Sequence, residues 1–215
     1  MDFTKSFSDI LNIVEDIFNE AHIPTYKMYS GTSEWDKLHS FITSKGGLEI
    51  HSGLTKFVIE LTADNFVIKI PFSGYTRRNG CGELENEDYS VNHCEREVEL
   101  YNKLKDTEIG DLLVPTYFIG KVNELEVYIQ PKVEPYDYFT HSPSEKSYNI
   151  ANELDEYECT ADDEDCVAAF VEYFGDQTEH ILSMLDELGV RDVHSANFGY
   201  QNGGLVIFDY SGYHC

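Results

Sequence analysis

Apolar residues recur at steps of three and four over residues 4–22, where Phe7, Ile10, Leu11, Val14, Ile17, Phe18 and Ala21 form one stripe. That period predicts an amphipathic helix. A second stripe of Trp35, Leu38 and Phe41 predicts a helix over 33–44, with Ser33 as its cap and Gly46-Gly47 as its end. At residue 48 the period changes. Leu48–His51, Lys56–Leu61 and Phe66–Ile70 are short runs rich in β-branched residues, and Ala63-Asp64-Asn65 is a turn signal, so a β-meander is expected. Residues 73–92 are acidic and glycine-bearing, with Glu83, Glu85, Glu87 and Asp88, and predict a loop. A helix is expected over 92–105, with Val91, Cys94, Val98, Tyr101 and Leu104 on one side. Strands near 116–121 and 125–130 follow, joined by a tight Asn123-Glu124 turn.

Residues 134–165 are the least ordered by composition, with Pro, Ser and many acids. The run Asp162-Asp163-Glu164-Asp165 suits a helix N-terminus, where carboxylates meet the positive end of the dipole. Helices are expected over 163–174 and 176–188, the second closed by Gly189. The chain then predicts a loop, a strand, an Asn202-Gly203-Gly204 turn and a strand over Leu205–Phe208. The fold class is α+β, in three segments: a helical extension at 1–47, an antiparallel sheet with one helix at 48–133, and a mainly helical part at 134–215. The N-terminal helix pair is expected to be a packing layer, with partner binding as the alternative.

Charge is the outlier of the composition. Fifteen Lys and Arg face forty Asp and Glu, a formal net charge of −25. Such a field repels nucleic-acid backbones and anionic membranes, so direct nucleic-acid binding is not expected, and it favours cations or a basic protein partner, including by imitation of DNA. The five cysteines contain no C-x-x-C pair, the first residues lack a basic stretch followed by an apolar core, and no apolar run is long enough to span a bilayer. A reducing cytoplasm is the expected compartment. Cys81, His93 and Cys94 offer part of a zinc ligand set, and His194-Ser195 near Asp192 invites comparison with a hydrolase triad, but no nucleophile elbow surrounds Ser195.

The segment Arg191-Asp192-Val193-His194-Ser195-Ala196-Asn197 places an acid five residues before an amide, just after a helix. A short hairpin leads on to Ile207-Phe208-Asp209-Tyr210-Ser211-Gly212, twelve residues from Asn197 to Asp209. This resembles the catalytic loop and metal-binding loop of the protein kinase superfamily, in the Asp-x-His form typical of small-molecule and atypical kinases. Phe66-Val67-Ile68-Lys69-Ile70 resembles the kinase Val-Ala-Ile-Lys strand. A Lys in a buried strand is costly unless paired. Glu97 in the following helix is the expected partner, with Glu99 as the alternative on another face. Val127–Val133 resembles the fifth strand and hinge. The order Lys, Glu, hinge, Asp-x4-Asn, Asp-x2-Gly over residues 48–212 is far more specific than any one piece.

The resemblance implies a sheet-based N-lobe with an αC-type helix, a minimal helical C-lobe, and ATP with Mg²⁺ as ligands. The nearest flavour is that of small kinase-like proteins of bacteria and their phages. Lys69 would hold phosphates, Glu97 would hold Lys69, Asp192 would be the base, and Asn197 and Asp209 would bind the metal. Gly53, Thr55 and Lys56 would meet phosphate, and Gln130 and Lys132 would lie at the hinge. Three departures accompany it. His51-Ser52-Gly53-Leu54-Thr55-Lys56 keeps one clear Gly where kinases use up to three, Val190 replaces a structural His, and the sequence ends six residues after Asp209, at Cys215. The last departure argues against ordinary peptide phosphorylation. Two functions are therefore expected to compete: an ATP-dependent phosphotransferase with an unknown acceptor, and a catalytically inactive, pseudokinase-like acidic binding module.

Overall fold

The computed structural model describes residues 3–23, 26–137, 139–154, 164–190 and 193–210. The fold is mixed α+β, and the chain divides into two compact units, Met1–Val98 with Thr116–Lys132, and Glu99–Pro115 with Val133–Cys215.

In the first unit, α1 (Phe7–Glu20) starts at Ser6, whose side chain accepts the Asp9 N–H, and buries Ile10, Val14, Ile17 and Phe18. The short β1 (Tyr29–Ser30) comes next. Helix α2 (Ser33–Ser44) is capped by Thr32, which accepts the Trp35 N–H. The cap is thus one residue earlier than expected: Thr32 is extended and Ser33 is already helical. Then come β2 (Leu48–Ser52), β3 (Lys56–Leu61) and β4 (Phe66–Pro71). The stretch expected as a loop instead forms a hairpin, β5 (Gly74–Arg78) and β6 (Leu84–Asp88). It forms because β5 pairs in parallel with β1, and because Arg77 and Glu87, neighbours on the two strands, form an ion pair at 2.9 Å. Helix α3 (His93–Leu104) leads to β7 (Tyr117–Val122) and β8 (Leu125–Pro131).

The main sheet is antiparallel, in the order β2-β3-β4-β8-β7. Alternation sends Phe57, Ile59, Ile68, Ile70, Val127 and Ile129 to one face, all without solvent exposure, where they share a core with the apolar stripes of α1 and α2. At the β7 bulge Gly120 has φ +146°, and a Cβ there would lie 2.8 Å from Leu11 Cδ1, so glycine is what lets α1 pack on β7. The β7–β8 turn places both Asn123 and Glu124 at positive φ, the requirement of a type I′ hairpin.

The second unit holds β9 (Glu134–Pro135), α4 (Glu145–Ala151), α5 (Glu164–Phe174), α6 (Thr178–Glu187), β10 (Phe198–Gln201) and β11 (Gly204–Ile207). The sheet order is β11-β10-β9. Cys166, Ala168, Phe170, Leu182, Leu185, Val190, Val193, Phe198, Ile207 and Tyr210 form its fully buried core. Among the described residues no helix is long and apolar enough to cross a membrane.

Candidate functional site

Pairing of β3 with β4 sets Val58 opposite Lys69 and Lys56 opposite Pro71, so both lysines leave the sheet on the face opposite the apolar core. Lys56 and Lys69 are nevertheless 4% and 2% exposed. Burial on that scale requires a counter-charge, and α3 supplies it. Glu97, with no solvent exposure, takes Lys56 Nζ on Oε1 at 2.6 Å and Lys69 Nζ on Oε2 at 2.8 Å. Thr116 Oγ1 donates to Glu97 Oε2 at 2.7 Å, and the Gln130 amide donates to Thr116 Oγ1 at 3.0 Å. Three strands or strand ends thus donate directly to a single carboxylate on one helix, and a fourth strand reaches it through Thr116. Glu99, the alternative partner, is exposed.

Helix α3 is aimed by its first residues. Asn92 Oδ1 accepts the N–H groups of Cys94 and Glu95 at 3.0 and 3.2 Å, an N-cap. The amide nitrogen of Asn92 donates to Glu126 Oε2 at 2.5 Å and to the Tyr128 hydroxyl at 3.0 Å, both on β8. The cap therefore ties the helix to the strand next to the Lys69 strand. Burial pushes the Glu126 carboxyl up, but hydrogen bonds from Tyr128 and Lys121 outweigh it and hold Glu126 below the usual carboxylate range. Burial, then the Glu126 carboxylate, raise the Tyr128 phenol far above its ordinary value, so it stays a donor. A cleft of about 280 Å³ beside this cap is lined by Lys27, Phe72, Ser73, Tyr89, Asn92 and Glu126, among others.

The remaining residues expected at phosphate or adenine are placed as follows. Gly53 donates its N–H to the Lys56 carbonyl at 3.0 Å, closing a tight turn in which Leu54 is 71% exposed. Thr55 is buried, and its carbonyl accepts the Phe72 N–H at 2.8 Å. Lys132 donates its N–H to the Asn65 carbonyl at 2.9 Å, and its ammonium pairs with Glu60. Lys56 and Gln130 join the Glu97 cluster; Gly53, Thr55 and Lys132 make these separate contacts. Thr116 is the site residue that sequence reasoning missed. It stands just before β7, with no flanking pattern that announces a partner.

In the second unit, the Asn197 carbonyl accepts the N–H groups of Phe208 and Asp209 at 2.9 and 3.3 Å, which sets Asn197 and Asp209 side by side at the base of the β10–β11 hairpin. The Asn202-Gly203 turn, both residues at positive φ, closes that hairpin. Upstream, the Asn197 N–H donates to the His194 carbonyl at 2.8 Å, which fixes the turn entering β10. Downstream, the Tyr210 hydroxyl donates to the Val114 carbonyl at 2.9 Å and holds the strand exit. Asn197 is 7% exposed and Asp209 half-buried. An amide oxygen and a carboxylate are hard donors that fit Mg²⁺, which takes one or two carboxylates together with substrate phosphates. Asp192, the expected base, lies outside the described residues, as do Ser211, Gly212 and the acids at 162 and 163. Cys81 is exposed and Cys94 buried, and among the described residues they do not gather with His93 into a metal-donor cluster.

No protein-family model matches the chain, and no curated protein matches it significantly.

Proposed function

We propose that this chain is a kinase-like nucleotide-binding protein that takes ATP with Mg²⁺ and transfers phosphate. The observation that carries the proposal is the buried Lys69–Glu97 pair. Its lysine stands on the third strand of an antiparallel meander and its glutamate on the helix that follows, as in the strand–helix ion pair of protein kinases. Phosphoryl transfer asks a protein mainly for positioning and charge neutralisation. Glu97 holds the Lys69 ammonium in one orientation, and Lys69 neutralises phosphate charge. Asn197 and Asp209 would hold Mg²⁺, which supplies charge neutralisation on the phosphates when bound. Asp192 would accept the proton of the acceptor hydroxyl.

Calorimetric titration of the full chain with ATP tests this. Heat is expected with Mg²⁺ present, and Asp209→Ala and Lys69→Met are each expected to weaken binding at least about tenfold, a loss of ~1.4 kcal/mol or more. Melting each variant without nucleotide separates lost binding from lost folding. A wild-type chain that gives neither heat nor a thermal shift with Mg-ATP overturns the proposal.

Two observations favour a second reading, a catalytically inactive, pseudokinase-like acidic binding module. Glu97 receives Lys56 as well as Lys69, and the Gly53 N–H donates within its own turn. In that reading the cluster cross-links helix and sheet, and the acidic surface meets a basic protein. It predicts no Mg-ATP binding and a stoichiometric basic partner lost at high salt.

A further inference from the structure

The face of the main sheet that carries Lys56 and Lys69 also carries, at its β2 edge, an unusual group of donors. Residues two apart on a strand share a face, so Glu49 and His51 point the same way from β2. The β2–β3 register sets Glu49 directly opposite Glu60 and His51 opposite Val58, which makes His51 the diagonal neighbour of Glu60. Two carboxylates directly across a ladder are unfavourable unless a cation lies between or beside them. Here the Lys132 ammonium does so, and the His51 imidazole stands beside Glu49. His51 Nε2 lies 3.8 Å from Glu49 Oε2, and Lys132 pairs with Glu60 Oε1. One donor atom from each of Glu49, His51 and Glu60 lies within 4.8 Å of the others.

We infer that Glu49, His51 and Glu60 form a binding site for a divalent transition-metal ion, with Zn²⁺ the best fit. Metal–ligand bonds of about 2.1 Å in a tetrahedron separate neighbouring donors by about 3.4 Å. The His51–Glu49 distance is already close to this, and the side chains of both residues are more than half exposed and can turn toward an ion, while Glu60, whose donor atom lies within 4.8 Å of theirs, must close the larger remaining gap. Imidazole nitrogen distinguishes this set from the all-oxygen sites that suit Mg²⁺ and Ca²⁺. Three protein ligands leave a fourth position for water, the pattern of an open site. The surrounding field, from a chain of net charge −25, concentrates cations at the surface. Lys132 is the built-in competitor: its ammonium occupies one Glu60 oxygen and repels an ion on the other.

This site is independent of the nucleotide proposal, and its test needs no nucleotide. Full-length protein is titrated with Zn²⁺ calorimetrically and with Co²⁺ by visible absorption, alongside His51→Ala, Glu60→Gln and Lys132→Met. One Zn²⁺ per chain is expected. His51→Ala and Glu60→Gln should each weaken it at least about tenfold, the lower end of what even outer partners of a metal site cost. Lys132→Met should tighten it several-fold, because the competing charge is gone. The Co²⁺ spectrum should lack a thiolate charge-transfer band, which separates this site from the exposed Cys81. No stoichiometric Zn²⁺, unchanged affinity in His51→Ala, a thiolate band, or weaker binding in Lys132→Met would each overturn the assignment. The three positions are on the surface or its margin, so the variants are expected to fold, and a melt of each apo-variant checks it.

Discussion

Glu97 accepts from three donors, Lys56, Lys69 and Thr116, with no exposure to water. Removing the carboxylate leaves two buried ammonium groups with their shared counter-charge gone, and breaking a buried pair in this way costs about 3–5 kcal/mol. Glu97→Ala is therefore expected to lower stability by roughly that amount in urea denaturation. Lys56→Met should cost less, since Met replaces much of the buried stem and Glu97 keeps Lys69 and Thr116. A Glu97→Ala loss below about 1 kcal/mol would place the cluster in water and sink the argument. At this scale part of the site was legible in the sequence. Lys69 sits among β-branched residues in a strand, where only pairing makes burial tolerable, and Glu97 lies on the face of the helix that the apolar spacing turns inward. The part played by Lys56 was not legible. It begins its strand beside a turn, and whether its ammonium reaches Glu97 or a ligand depends on β3–β4 register, which no local pattern fixes.

Register also decides what was legible among the elements. The helices with clear stripes and the five strands of the main sheet announced themselves, because alternation and the three-four period are local signals. The β5–β6 hairpin did not: its strands are polar on both sides, and its order comes from β1, more than forty residues earlier, and from cross-strand pairs such as Thr76 with Asn86 at 2.8 Å. Helix α4 was hidden for the same reason. It is seven residues long, and Glu172, far along the chain, accepts from both Ser144 and Ser147 at its start. The hairpin that carries Asn197 and Asp209 depends on another such long-range contact. At Gly199 a Cβ would lie 2.2 Å from the Glu134 carbonyl oxygen, where β9 lies against β10. Gly199→Ala must push β9 away. The expected cost is at least about 1–3 kcal/mol, the usual price of overpacking. Amide exchange should quicken at Tyr136, whose N–H donates to the Phe198 carbonyl at 3.0 Å. Unchanged exchange at Tyr136 would mean that β9 does not depend on that glycine.

For the whole molecule the governing fact is the imbalance of forty acids against fifteen bases. Among the described residues at least eight of those bases already pair with carboxylates: Lys5, Lys27, Lys45, Lys56, Lys69, Arg77, Lys121 and Lys132. Pairing of that kind leaves a large excess of carboxylates to repel one another. Exposed pairs contribute only about 0–1 kcal/mol each, and the buried Glu97 cluster is screened little. Added salt therefore relieves more repulsion than it removes attraction, and the melting temperature should rise between about 10 mM and 0.5 M NaCl, as the screening length falls from ~30 Å to less than 10 Å. A melting temperature that falls instead would mean that surface pairs dominate. The same field gives the two functional readings opposite signs. Nucleotide phosphate approaches a molecule of like charge, so screening should leave Mg-ATP affinity unchanged or strengthen it. A basic protein approaches a molecule of opposite charge, so screening should weaken its binding steeply. Measuring both affinities across one salt series separates an acidic surface that a nucleotide site must overcome from one that recruits a partner.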